Sequence, residues 1–193
     1  MNNTETVPST VDTYDSRTVM LHWVSAALVL TLWVLGQCVD FFPKGTPRVT
    51  VRSMHISLGV LLGVILIVRL FWRLAGGVKL PAADSGFAGR LATSVHWFLY
   101  ALLAASVVAG MAYVWIRGDT LFNWFTVPAF DPGNKALRDN AGEVHELMAN
   151  LLLIVAGLHA LAAVWHHRIM RDGVLRRMWP GLSPIQSGKS GSR

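Results

Sequence analysis

Four stretches of this chain, residues 18–39, 53–68, 91–116 and 147–167, contain no Asp, Glu, Lys or Arg, although 17 basic and 11 acidic side chains stand elsewhere in its 193 residues. Each is long enough, at about 1.5 Å per helical residue, to cross roughly 30 Å of hydrocarbon, the second by using Arg69 and Arg73 as snorkelling ends. With 53% hydrophobic and 15% charged residues, the chain is too apolar for an ordinary soluble domain. The first stretch follows a polar segment and lacks a small-x-small cleavage site. Leu35-Gly36-Gln37-Cys38 also departs from a lipoprotein site at Gln37, so a retained span is expected. The fold class that follows is all-α: an integral membrane antiparallel four-helix bundle.

Four crossings return the chain to its starting side. That side carries eleven Lys and Arg, and the opposite side six, namely Lys44, Arg48, Arg52, Arg117, Lys135 and Arg138. The positive-inside bias therefore places both termini in the cytoplasm. Residues 1–17 read as a polar N-terminal tail, 18–180 as the transmembrane domain, and 181–193 as a disordered C-terminal tail of polar and small residues. Residues 40–52 and 118–140 are expected as outer loops and 75–90 as an inner loop. Trp124, Phe125, Pro128 and Phe130 suggest an aromatic lid lying on the lipid headgroups. The basic rims suit lipid phosphates, and no nucleic-acid partner is expected.

Seven histidines carry the chemistry, because an imidazole inside a membrane needs a partner. His145 and His159 are fourteen residues apart, about 1400° of helix rotation, which returns to within about 40° of one face at an axial separation of about 21 Å. Two ligands so placed can each hold a different haem. His55, expected to begin the second helix at the outer rim, matches the depth of His145; His22, in the inner half of the first helix, matches His159. The expected iron ligands are thus His55 with His145 outside and His22 with His159 inside. Cys38 is the only cysteine and no CxxCH occurs, which excludes disulfides, iron–sulfur ligation and thioether-bound haem.

A porphyrin edge needs a small residue one turn on, since helical side chains lean toward the N-terminus. Ala26, Gly59, Ala149 and Ala163 stand four residues after these histidines, whereas Tyr100 follows His96. His96 is accordingly read as a structural or haem-propionate hydrogen-bonding group. Any one such histidine could equally make an interhelical hydrogen bond; four at two matched depths favour ligation. His166 and His167 lie at the inner interface, where snorkelling competes with a quinone or proton-transfer role.

The motifs Leu21-His22-Trp23, Met54-His55-Ile56-Ser57-Leu58-Gly59, Val68-Arg69-Leu70, Val144-His145-Glu146-Leu147-Met148-Ala149-Asn150 and Gly157-Leu158-His159-Ala160-Leu161, followed by Trp165-His166-His167, occur in this order. On them the chain resembles the bacterial cytochrome b561 family of four-helix dihaem membrane proteins, from Tyr14 to about Pro180. The resemblance implies two b haems on His22, His55, His145 and His159, and electron transfer between a periplasmic donor and a quinone. It further implies superoxide as donor, ubiquinone as acceptor bound near His166, and a bacterial inner-membrane location. The expected activity is that of a superoxide:ubiquinone oxidoreductase. A small anionic donor would be steered by Lys44, Arg48, Arg52, Lys135 and Arg138, unless these only anchor lipid. Bis-imidazole ligation leaves no open iron position, so the donor is expected to react at the haem edge. The alternative within the fold is a cytochrome b anchor coupling a dehydrogenase or hydrogenase to quinone; a homo-oligomer or a dehydrogenase subunit would be its partner. A haem-free proton-relay transporter is disfavoured because no carboxylate stands between the rims.

Overall fold

The computed structural model describes residues 13–81 and 86–182. Four long helices follow in chain order: α1 Ser16–Cys38, α2 Thr46–Ala75, α3 Phe87–Arg117 and α4 Lys135–Trp165. All are long and apolar enough to cross a membrane. The helices of 30 and 31 residues reach about 45 Å, so their ends extend past the hydrocarbon into the headgroups. Residues 181–193, expected as a C-terminal tail, lie outside the described residues except at Gly181 and Leu182, as do residues 1–12 of the expected N-terminal tail, whose Ser16 and Arg17 already belong to α1.

Local chemistry sets the helix ends. Asp15 caps α1, its carboxylate accepting from the Thr18 N–H at 3.0 Å and the Thr18 hydroxyl at 2.7 Å, and so satisfies an otherwise orphaned amide. The same carboxylate accepts from Trp72 Nε1 and the Val78 N–H, tying the start of α1 to the end of α2. Pro47 stands in the first turn of α2, where its missing N–H costs nothing. Gly118 closes α3 in the left-handed conformation, and Asn134 caps α4 through the Leu137 N–H.

Two helices begin earlier than the charge-free stretches suggest. α2 starts nine residues before His55 and α4 ten before His145, so His55 lies more than two turns inside its helix and does not begin it. Residues 46–52 and 135–140 are helical, where loops were expected. The charges there are tolerated because they find partners: Arg48 with Asp40, Arg52 with Asp119 and Lys135 with Asp139. Between α3 and α4, strands β1 Thr120–Leu121 and β2 Phe125–Thr126 form a small antiparallel hairpin. Its tip residues Phe122 and Asn123 have positive φ, and their N–H groups donate to the Ser57 and Ser53 hydroxyls of α2.

Contacts are most extensive between α3 and α4 and between α1 and α2. At mid-depth, Leu32, Leu62, Leu66, Leu102, Leu103 and Leu152 form the buried core. In the sequence of every helix this leucine layer separates an outer group (Gly36, His55, Gly110, His145) from an inner one (His22, Arg69, His96, His159). Most other large apolar side chains face outward, Ile67, Val108 and Leu161 among the most exposed. A shell of that kind is stable only against lipid.

Candidate functional site

On the outer side of the leucine layer the His55 and His145 rings lie 6.1 Å apart, centroid to centroid, at 89°. His145 Nδ1 is 3.1 Å from the Ser106 carbonyl of α3. A carbonyl only accepts, so Nδ1 carries the proton and Nε2 keeps its lone pair, the form in which an imidazole binds a metal. Among the described residues, buried His55 Nδ1 has no hydrogen-bond partner of ordinary geometry. Such a group is costly unless a ligand or water satisfies it.

Space around the pair comes from glycines on the other helices. A Cβ on Gly110 would stand 2.9 Å from His145 Cε1, and one on Gly36 3.4 Å from His55 Cε1. Gly59 and Ala149, singled out in the sequence, also line the cavity of about 700 Å³ that opens here, with Leu32, Leu62 and Leu152 at its floor. Its size is that of a cofactor pocket. Trp33 Nε1 donates to Asn150 Oδ1 at 2.9 Å, linking α1 to α4 across the same wall.

At the cavity mouth Asp119 stands between Arg52 and Arg117, at 3.5 and 3.3 Å. Its side chain is 11% exposed. Burial pushes its pKa up, and the two guanidiniums oppose that rise without cancelling it. The outer half carries six basic side chains and six acidic ones, Asp40, Asp119, Asp131, Asp139, Glu143 and Glu146, so its formal charge balances. Arg48, Arg52 and Lys135 are each ion-paired; the positive field expected from them is therefore local. The outer aromatic group divides: the Phe130 ring packs at a tilt against Trp115, 4.8 Å between centroids, whereas Trp124 is 89% exposed.

The inner group is arranged differently. His159 has the His96 ring as its neighbour, at 5.1 Å between centroids. His22 is held through Nδ1 by the Arg69 guanidinium at 2.9 Å. A guanidinium only donates, so this Nδ1 is the acceptor, the reverse of His145. The structure thus brings His22, His96 and His159 to one level but sets His96, not His22, against His159. Tyr100, the bulky residue one turn after His96, has its ring under Arg69 and Arg73.

Past α4 the chain makes a π-helical turn, His166–Met170, ended by Arg171 at positive φ. Asp172 returns its carboxylate to His166 Nδ1 and accepts from the Val174 N–H. Trp23 Nε1 donates to the Met178 carbonyl, and the Tyr14 N–H to that of Arg177, which folds the segment after α4 across the inner end of α1.

A family model described as Prokaryotic cytochrome b561 matches residues 13–181. The chain is 29% identical over 170 residues to the "Probable superoxide oxidase CybB" of Yersinia pestis, covering 86% of this chain and 96% of that one. It is 30% identical over 179 residues to the "Cytochrome b561 homolog 2" of Escherichia coli (strain K12), covering 88% and 93%. With the "Cytochrome b562" of Cereibacter sphaeroides it shares 25% identity over 170 residues, 86% of this chain and 94% of the other.

Proposed function

The chain belongs to the prokaryotic cytochrome b561 family, and on that premise we propose that it is a dihaem superoxide:ubiquinone oxidoreductase of the bacterial inner membrane. It is a multi-pass membrane protein with a redox role, in a family that holds haem b. The proposal adds the two haems, their ligands, the donor and the acceptor. The observation that carries it is the separation of the histidines into two groups by one leucine layer.

Haem b, when bound, supplies reversible one-electron chemistry; the protein places and tunes it. His55 and His145 would hold the outer group, with Ser106 fixing the His145 tautomer and Gly36 and Gly110 leaving room. His22 and His159 would hold the inner one, as their depth suggests. Two superoxide ions give two electrons and become dioxygen; with two protons those electrons turn one ubiquinone into ubiquinol. Arg52 and Arg117 at the outer cavity suit approach of a small anion. On the inner side His166, oriented by Asp172, would meet the quinone and pass it a proton. Both termini then lie in the cytoplasm.

The test is the purified protein in proteoliposomes. A reduced-minus-oxidised spectrum with a haem count near two, and ubiquinol formation driven by a superoxide source, are expected. A haem count near one would remove the paired assignment. Two haems without superoxide-driven ubiquinol, and a copurifying hydrophilic subunit, would turn the reading to the anchor of a dehydrogenase.

A further inference from the structure

On the outer side, Arg48, Arg52 and Arg117 all have an aspartate within salt-bridge distance. Arg69 and Arg73, deep in the inner half of α2, have none among the described residues. The two described carboxylates of that half are engaged elsewhere, Asp15 by Thr18, Trp72 and Val78, and Asp172 by His166 and Val174. What surrounds the two guanidiniums is aromatic: Tyr100 at 5.1 Å from Arg69, and Trp97 and Tyr100 at 5.4 and 5.6 Å from Arg73. Ring faces ease a cation's desolvation but leave its charge without a counter-ion. Arg69 stands six residues from the inner end of α2, as His22 and His159 do from those of α1 and α4. Arg69 and the imidazoles therefore share one level, and its guanidinium reaches His22.

We propose that Arg69, with Arg73 one turn nearer the inner surface, binds the propionate carboxylates of the inner haem, and that Arg69 releases His22 to do so. The inference rests on the dihaem reading above. A neutral imidazole that binds iron through Nε2 carries its proton on Nδ1. Arg69 now donates to that Nδ1, so ligation by His22 would set two N–H donors against each other, and the guanidinium must turn to another acceptor. Haem b brings two carboxylates, whose paired oxygens match the guanidinium fork.

The experiment compares the full-length wild type with Arg69→Gln, Arg69→Lys and Arg73→Gln, measuring haem content and the midpoint potential of each haem. Loss of a cation beside the propionates is expected to lower the inner midpoint in Arg69→Gln and, less, in Arg73→Gln, with the outer midpoint unchanged; Arg69→Lys recovers part of the shift. Reconstitution with haem dimethyl ester, whose carboxylates are masked, is expected to weaken inner-site retention in wild type and to abolish the difference between wild type and Arg69→Gln. Wild-type midpoints and retention in all three variants would overturn the proposal and leave the arginines as anchors for lipid phosphate. So would an ester that binds the inner site as tightly as haem itself. A wild type holding a single haem would overturn the dihaem reading, and this inference with it.

Discussion

A Cβ on Gly110 would lie 2.9 Å from Cε1 and 3.2 Å from Nδ1 of His145, so the missing side chain of one helix admits the imidazole of the next. The ring uses that space to donate to the Ser106 carbonyl, one turn before the glycine. Gly110→Ala must displace His145 and break that bond. Overpacking of this kind costs about 1–3 kcal/mol, which as haem affinity is roughly a five- to hundredfold loss at the outer site. Gly36→Ala, whose Cβ would meet His55 at an ordinary 3.4 Å, is expected to do much less. Equal haem retention in both variants, read by pyridine haemochromogen assay after gel filtration, would show that the glycine does not position the ring.

Replacing the histidines separates the two levels. His55→Ala and His145→Ala are expected to remove the outer haem alone, since those rings face each other at 6.1 Å. His22→Ala and His159→Ala are expected to remove the inner haem, while His96→Ala keeps both. The 5.1 Å approach of His96 to His159 makes this the decisive comparison. Loss of a haem in His96→Ala, with retention in His22→Ala, would move the inner ligand role to α3.

The four helices were legible because charge-free stretches of sufficient length have few other uses. Their outer ends were not, since a charge ends a hydropathy pattern without ending a helix: Arg52 sits on α2 paired with Asp119 beyond the end of α3, and Asp139 on α4 paired with Lys135 one turn before it. Depth was legible too, because residue count along a helix converts directly to height, and His55 and His145 do meet at one height. Rotation about each helix axis was not. Gly36, Gly110 and the Ser106 carbonyl belong to helices other than the histidine's own, and the i+4 pattern within one helix says nothing of what faces it. For the same reason Tyr100, one turn from His96 on α3, says nothing of the His159 ring that meets His96 from α4.

The outer mouth offers a test of donor approach. Neutralising Asp119 as Asn leaves Arg52 and Arg117 unopposed in the cavity wall, which is expected to raise the rate of haem reduction by superoxide at low salt. Arg52→Gln is expected to lower it. Both effects fade as ionic strength shortens the screening length toward about 8 Å. Stopped-flow rates that are the same in both variants and independent of salt would exclude steering by this cluster.

Asp15 links α1 to α2 and to the turn after it. Burial alone would raise its pKa, but hydrogen bonds from Thr18, Val78 and Trp72 outweigh that and bring it from 3.8 to about 2. A depressed carboxylate stabilises the folded state above its unfolded pKa and loses that contribution as pH falls through the folded one. The contribution of Asp15 is thus intact above about pH 4 and lost toward pH 2. Asp15→Ala is expected to cost about 1 kcal/mol for the cap alone. It should flatten the fall in thermal stability between those pH values, measured by haem-absorbance melting. An unchanged slope would mean that another carboxylate governs the acid limb.

Quinone reduction, as proposed for the inner face, would require protons as well as electrons, and the π-helical turn after α4 holds a group able to carry them. Arg171 at positive φ turns the chain so that the Asp172 carboxylate meets His166 Nδ1, which leaves Nε2 as the atom free to exchange a proton. A carboxylate so placed fixes ring orientation and tautomer. His166→Ala is expected to leave donor-driven haem reduction intact and to slow reoxidation by ubiquinone by roughly a hundredfold, the lower range for a lost general acid. Asp172→Asn keeps the size of the side chain but not its charge. It is expected to slow reoxidation less, because an amide oxygen still accepts from Nδ1 but holds the ring less firmly than a carboxylate does. The two half-reactions are followed separately by stopped-flow absorbance of the haems across pH 5 to 9. Reoxidation at the wild-type rate in His166→Ala would place the quinone elsewhere and leave the histidine as an interfacial anchor. Reoxidation at the wild-type rate in Asp172→Asn would show that the carboxylate does not position the ring for proton transfer.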